Sequence, residues 1–124
     1  MLDMRLIKRR KDVLDKFTEV AYWRKANQIR AWFKCNLDNF ADNGMTIVSK
    51  SDLEKLLAVC KEVSNSHITD KAKRLLPTSE GYFFGSLAYD KYYYQNVDYT
   101  IKVIEKLLDE LNFDEWEIYY DEIY

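Results

Sequence analysis

Residues 18–37 read Thr18-Glu19-Val20-Ala21-Tyr22-Trp23-Arg24-Lys25-Ala26-Asn27-Gln28-Ile29-Arg30-Ala31-Trp32-Phe33-Lys34-Cys35-Asn36-Leu37, and how they are read decides the fold. Tyr22, Ala26, Ile29, Phe33 and Leu37 recur at steps of 4, 3, 4 and 4, which is the spacing of one helical stripe. Trp23 and Trp32 fall on its shoulders, and Phe17 and Val20 carry apolar character round the other side. The pattern predicts a helix from about Asp12 to Asn36, apolar over most of its girth and therefore central to the core.

On such a helix Trp23, Asn27 and Arg30 are neighbours. An amide beside an indole and a guanidinium can bind a nucleotide or an anion. It can equally hydrogen-bond an irregular loop from within, because buried polar groups need partners. The internal reading is the simpler one, and the segment 77–86 is the obvious recipient. There the sequence runs Leu75-Leu76-Pro77-Thr78-Ser79-Glu80-Gly81-Tyr82-Phe83-Phe84-Gly85-Ser86. Glycine supplies positive φ or close backbone approach, so both ends of Tyr82-Phe83-Phe84 can turn sharply. The three aromatics then either plug the core or present an anchor to a partner protein or a base.

Working outward, residues 4–8 read as an edge strand and Asn43-Gly44 as a turn, with a brief strand at 45–48. Ser49 reads as an N-cap, with Asp52 three residues on, for a helix bearing Leu53, Leu56, Leu57, Cys60 and Val63. A short helix over 69–76 ends before Pro77. A second short helix is expected through Tyr89–Tyr94, and another from about Asp98 to Leu111. The tail 116–124 is rich in strand formers and is expected to pair with 4–8 or 45–48. The fold expected is α+β: one mainly helical domain over 1–124, with four to five helices and a small two- or three-stranded sheet.

The 124 residues are 48% hydrophobic and 32% charged, the composition of one globular domain. A net charge of −2 gives no bulk electrostatic case for nucleic acid. The charge is uneven, however. Residues 1–34 carry ten basic side chains against four acidic ones; residues 98–124 carry nine acidic side chains against Lys102 and Lys106. Either the two ends neutralise each other in the fold, or they form faces of opposite sign. In the second case Asp114, Glu115, Glu117, Asp121 and Glu122 are candidates for binding a basic partner. Arg9, Arg10, Lys11 and Lys16 are then weaker candidates for nucleic acid. Cys35 and Cys60 are in no CxxC pair, fall in helical patterns and read as reduced, buried thiols. The N-terminus does not read as a signal peptide, and no apolar run reaches the ~18 residues of a membrane span, so the cytosol is expected and no membrane partner.

Catalytic chemistry finds little support. His67 is the only histidine, and no GxSxG, HExxH, calcium-loop or complete phosphate-loop pattern occurs. No catalytic residue, metal ligand or cofactor is expected. The binding candidates are Trp23, Asn27 and Arg30, the aromatics Tyr82, Phe83 and Phe84, and the acidic residues named above.

Two motifs and the tail carry a resemblance. Tyr22-Trp23-Arg24-Lys25-Ala26-Asn27-x-Ile29-x-x-Trp32-Phe33, Leu75-Leu76-Pro77-Thr78-x-x-Gly81-Tyr82-Phe83-Phe84-Gly85-Ser86-x-x-Tyr89-Asp90 and Trp116-x-Ile118-Tyr119-Tyr120 together resemble a family of small uncharacterised phage and prophage proteins. The likeness implies a virus-encoded accessory protein acting in a bacterial host cytoplasm. Such a protein is expected to bind and modulate a host protein, for example a defence nuclease of the CRISPR type, whose basic nucleic-acid channel an acidic face would occupy. The expected partners are a host protein first, nucleic acid only weakly, and a second copy of the chain. A small-ligand binder, of nucleotides for example, is the competing expectation.

Overall fold

Thr18–Arg24 is a strand, not the first half of a helix. In the computed structural model, which describes residues 1–124, Ala21 and Trp23 are buried while Tyr22 and Arg24 are exposed. That is the two-residue alternation of a half-buried strand, supported by Val, Tyr and Trp, all strand formers. Lys25 then adopts a left-handed φ of 57° and turns the chain into a helix of only ten residues, Asn27–Asn36. Ala26, Ile29, Phe33 and Leu37 form the buried stripe that the spacing predicts, but Tyr22 joins it by coincidence of spacing and faces solvent.

The sheet is also larger than expected. Strands β1 (Asp3–Arg10), β2 (Thr18–Arg24), β3 (Met45–Val48) and β4 (Trp116–Ile123) form one antiparallel sheet in the order β2-β1-β4-β3. A small two- or three-stranded sheet is therefore wrong, and so is an edge position for β1. This strand is central, because β4 inserts between it and β3. The tail pairs with both of the segments offered to it: Leu6 faces Tyr120, and Thr46 faces Tyr120 from the other side.

The helices are α1 (Asn27–Asn36), α2 (Lys50–Ser66), α3 (Thr69–Leu75) and α4 (Lys91–Glu110). A reciprocal capping box opens α2: Ser49 Oγ accepts from the Asp52 N–H, and Asp52 accepts from the Ser49 N–H, both at 3.0 Å. A single helix, α4, replaces the two expected between 89 and 111. Asp90 caps it by accepting from the N–H groups of Tyr92 and Tyr93. Its buried stripe of Tyr93, Tyr94, Val97, Thr100, Ile104 and Leu107 runs on past Asp98, which faces outward and accepts from Ser64 Oγ at 2.7 Å.

One cluster of 25 buried residues joins the helices to the inner face of the sheet, where Met4, Leu6, Trp23, Ile118 and Tyr120 point. Trp23 is satisfied within it by donating from Nε1 to Thr100 Oγ1 at 2.9 Å. No helix is long and apolar enough to cross a membrane.

The outer face of the sheet is where the uneven charge is resolved. Arg5 donates to Asp121 at 2.9 Å and Arg9 to Glu117 at 3.2 Å; at the strand end, on the other side of the pleat, Arg10 approaches Glu115 at 3.7 Å. The basic N-terminal strand and the acidic C-terminal strand lie side by side, and their charges pair across the ladder. Tyr119 adds a hydrogen bond to Glu117 at 2.9 Å. That bond, together with Arg9, outweighs partial burial and holds the Glu117 carboxyl below its ordinary 4.5. A carboxylate held below its unfolded pKa stabilises the native state above the unfolded value. That contribution is lost as pH falls through the folded value. Glu117→Gln is therefore expected to lower the melting temperature at pH 7, with the deficit shrinking below pH 4.5 as the native carboxylate protonates. Thermal denaturation of both proteins across pH 3–7 checks this; a deficit independent of pH would remove the charge from the explanation.

Candidate functional site: a glycine-bracketed aromatic loop

Between α3 and α4 the chain has no regular structure, yet its backbone is tied down at many points. Asn27, the first residue of α1, does most of the tying. Its Nδ2 donates to the carbonyls of Phe84 at 3.1 Å and Ser86 at 3.0 Å, and its Oδ1 accepts from the Ser79 N–H at 2.9 Å. Both donor hydrogens and one acceptor site are thus used on the loop, which is the internal role the sequence offers as one alternative. The Leu2 N–H donates to the Phe83 carbonyl at 3.3 Å, and the Phe84 N–H closes a turn onto the Gly81 carbonyl at 3.1 Å. At the flanks Thr78 Oγ1 donates to the Leu87 carbonyl at 3.0 Å, and the Tyr93 hydroxyl to the Leu76 carbonyl at 2.6 Å.

Both glycines are required by contact. A Cβ on Gly81 would lie 2.1 Å from the Phe84 ring. Gly85 has φ +93° and backs onto Lys25, whose Cβ would be 2.9 Å from an added methyl group.

The three aromatics separate. Phe84 is buried, whereas Tyr82 is 78% exposed and Phe83 58%. The exposed rings lie against each other at 4.3 Å between centroids. Phe83 also has a φ of 57°, a left-handed conformation that a bulky residue rarely adopts and that costs about 1–3 kcal/mol. The Asn27 and Leu2 hydrogen bonds hold it there. Met1, Ile123 and Tyr124, all exposed, lie at the same end of the sheet and extend an apolar surface around the loop.

Below Phe84 lies the buried ion pair of the molecule. Arg30 donates from Nε to Glu122 Oε1 at 2.9 Å and from Nη2 to Glu122 Oε2 at 3.1 Å, with side-chain exposures of 6% and 0%. Nη2 also reaches the exposed Asp42 at 2.6 Å. The guanidinium lies within cation–π range of the rings of Phe84, Tyr124 and Phe40, at 4.9, 5.2 and 5.5 Å. Glu122 accepts two further bonds, from the Tyr120 hydroxyl at 2.7 Å and the Asn43 N–H at 2.9 Å. Burial alone would lower the Arg30 pKa; the hydrogen bond and charge of Glu122 more than offset it and push it up. Burial, then Glu122, pushes the Tyr120 hydroxyl up as well.

The candidates named from sequence thus separate by setting. Trp23, Asn27, Arg30, Phe84 and Glu122 are buried support, with their polar atoms engaged inside the protein. Asp121, Glu117 and Glu115 pair with arginines of β1, Asp114 stays exposed, and no free acidic face remains along β4. Tyr82 and Phe83 alone combine exposure with a fixed backbone. Trp23 is not a helical neighbour of Asn27 and Arg30, since it sits on β2. Sequence reading missed Asp42, Phe40 and Tyr124 around Arg30, because no local pattern marks contacts made beyond the end of α1.

Reactive groups are few. Of the two thiols expected to be buried only Cys60 is, since Cys35 lies on the exposed side of α1; burial pushes the Cys60 thiol up to about 12, which suppresses the nucleophilic thiolate. His67 is exposed; it ends α2 in a left-handed conformation and stacks one face of its ring on Tyr94 at 3.9 Å. Comparison with known proteins finds no matching family model, no matching curated protein and no matching solved structure.

The Arg30–Glu122 pair offers a test of how the loop is held. Glu122→Ala leaves the buried Arg30 guanidinium with only the exposed Asp42 as a partner and is expected to cost about 3 kcal/mol in urea unfolding. Replacing both partners, as Arg30→Met with Glu122→Leu, is expected to restore most of that stability. Amide exchange in 79–86 should nevertheless quicken, because Phe84 loses the cation beneath it. Unchanged exchange in the double variant would show that Asn27 alone fixes the loop.

Proposed function

We propose that this chain is a binding protein, a phage-type accessory factor that acts in a bacterial host cytoplasm by docking on a host protein and modulating it. The observation that carries the reading is the Tyr82–Phe83 pair: two large rings exposed on a loop held in a strained conformation by buried hydrogen bonds. Folding free energy opposes such exposure and such a φ, so their retention supports a use at the surface. Aromatic anchors on a fixed backbone are what binding hot spots consist of, because little conformational entropy is lost on docking. The resemblance to small phage proteins supports a host protein as the target.

The pairing of the acidic C-terminal residues changes the expected manner of binding. With Glu115, Glu117, Asp121 and Glu122 each engaged by an arginine, contact falls to the apolar loop end, and a host defence nuclease would be met there rather than at a basic nucleic-acid channel. The partner surface that fits is an apolar cleft able to take two adjacent rings.

Immobilised wild-type protein and a Tyr82→Ser/Phe83→Ser variant, matched in melting temperature, are to be compared as baits in host lysate. At least one host protein is expected to bind the wild type and to be lost from the variant by about tenfold or more, the scale of a hot-spot truncation. Equal recovery on both baits would place the binding surface elsewhere.

A further inference from the structure

At the far end of β2 from the aromatic loop, a second site lies between the sheet edge and α4. The groove encloses about 540 Å3, inside the roughly 300–1,000 Å3 range of small-ligand sites. Val20, Val103 and Leu107 contribute an apolar lining. Lys8, Lys102 and Lys106 line it as well, and none of the three forms an ion pair within the protein, although the Lys8 ammonium lies over the Trp116 ring at 4.5 Å. By contrast Lys61, which faces the same helix, pairs with Glu105 at 3.2 Å. Glu19 and Glu110 share the lining without closing onto the lysines, so the groove keeps a net positive charge.

The local fold favours a small occupant over an added strand. Between Leu6 and Ile7 the register on β2 passes from Ala21 to Glu19, which leaves Val20 as a bulge. A bulge in an edge strand disrupts pairing and re-aims its side chain. The next outward-facing amide, that of Tyr22, already donates to the Tyr99 hydroxyl at 3.0 Å. A partner's strand would find this edge interrupted and partly satisfied. What remains is an apolar trough with ammonium groups along it.

We infer that the groove between β2 and α4 binds a small amphipathic anion, with its apolar body on Val20, Val103 and Leu107 and its carboxylate or phosphate head on Lys102 and Lys106. Lys102 and Lys106 lie one turn apart on α4 and are both exposed, so one head group can reach both. This site is independent of the loop that carries the proposed docking function.

The test is a heteronuclear NMR titration of the whole protein with decanoate, decyl phosphate and decyltrimethylammonium. Saturable shifts are expected at Val20, Tyr99, Val103 and Leu107 with both anions, and the stronger of the two identifies the head group. The cation should bind at least about tenfold more weakly, since only its charge differs in kind. Octanoate should bind about fifteenfold more weakly than decanoate, given about fourfold for each of two buried methylenes. Lys102→Gln/Lys106→Gln should weaken anion binding about tenfold with melting temperature unchanged, and Phe83→Ser should leave it intact. Equal affinity for the cation, shifts centred on Tyr82–Phe83, indifference to the lysine substitutions, or no saturation with either anion at millimolar concentration would each overturn the assignment.

Discussion

The fold turns on a carboxylate near the end of the last strand meeting a guanidinium on the first helix. Glu122 and Arg30 are 92 residues apart in sequence and bonded through two oxygens. Neither group tolerates burial alone, because an unpaired charge in a low dielectric is destabilising by several kcal/mol. Together they fix three things at once: the register of β4 against β1, the placement of α1 on the sheet, and the seat of Phe84. A buried ion pair adds little net stability over an apolar substitute, and its effect here is specificity. A one-residue slip of β4 would turn Glu122 to the outer face and strand Arg30, so the pair selects one register among those that hydrophobic alternation leaves close in energy.

Elements defined by local signals were legible in the sequence. The capping box of Ser49 and Asp52 and the stripe from Leu53 to Val63 announced α2, and the strand-rich tail announced β4. Thr18–Arg24 was not legible for a specific reason. Four of the five residues in its apparent helical stripe do line a helix, and Tyr22 extends that spacing backward by accident. The backbone reversal at Lys25 that separates strand from helix lies in a residue with no turn preference. The position of β1 was hidden for another reason. Central or edge placement depends on where β4 goes, and that is a contact across more than 100 residues. Its only trace was the opposite charge of the two ends, which proved to be a pairing code: Arg5 with Asp121, Arg9 with Glu117, Arg10 with Glu115.

The candidate site shows the same division. The motif residues Trp23, Asn27, Arg30, Phe84, Gly81 and Gly85 stood out because they are chemically unusual for their setting, and each has a structural explanation, Trp23 in joining β2 to α4 and the others in holding the loop. Tyr82 and Phe83 stood out equally and have none. They bury little, donate nothing to the core, and sit on a backbone that would relax if released. Composition cannot separate these two classes, since the rings are identical in kind. Burial and φ can.

That contrast carries the functional argument. A loop exposed merely for want of packing would be loosely tethered, because nothing would oppose its relaxation. Here the tethering is dense directly beneath the exposed rings: an amide with three bonds, the Leu2 N–H just before β1, and a buried ring resting on a paired cation. Free energy is committed to keeping two aromatic side chains out of the core in one orientation. Docking then orders little that is not already ordered, and the apolar contact energy appears in affinity rather than being offset by entropy. The same reasoning explains why charge is a poor guide to this surface. The ion pairs are structural, and once they are closed the chemistry left at this end of the sheet is apolar.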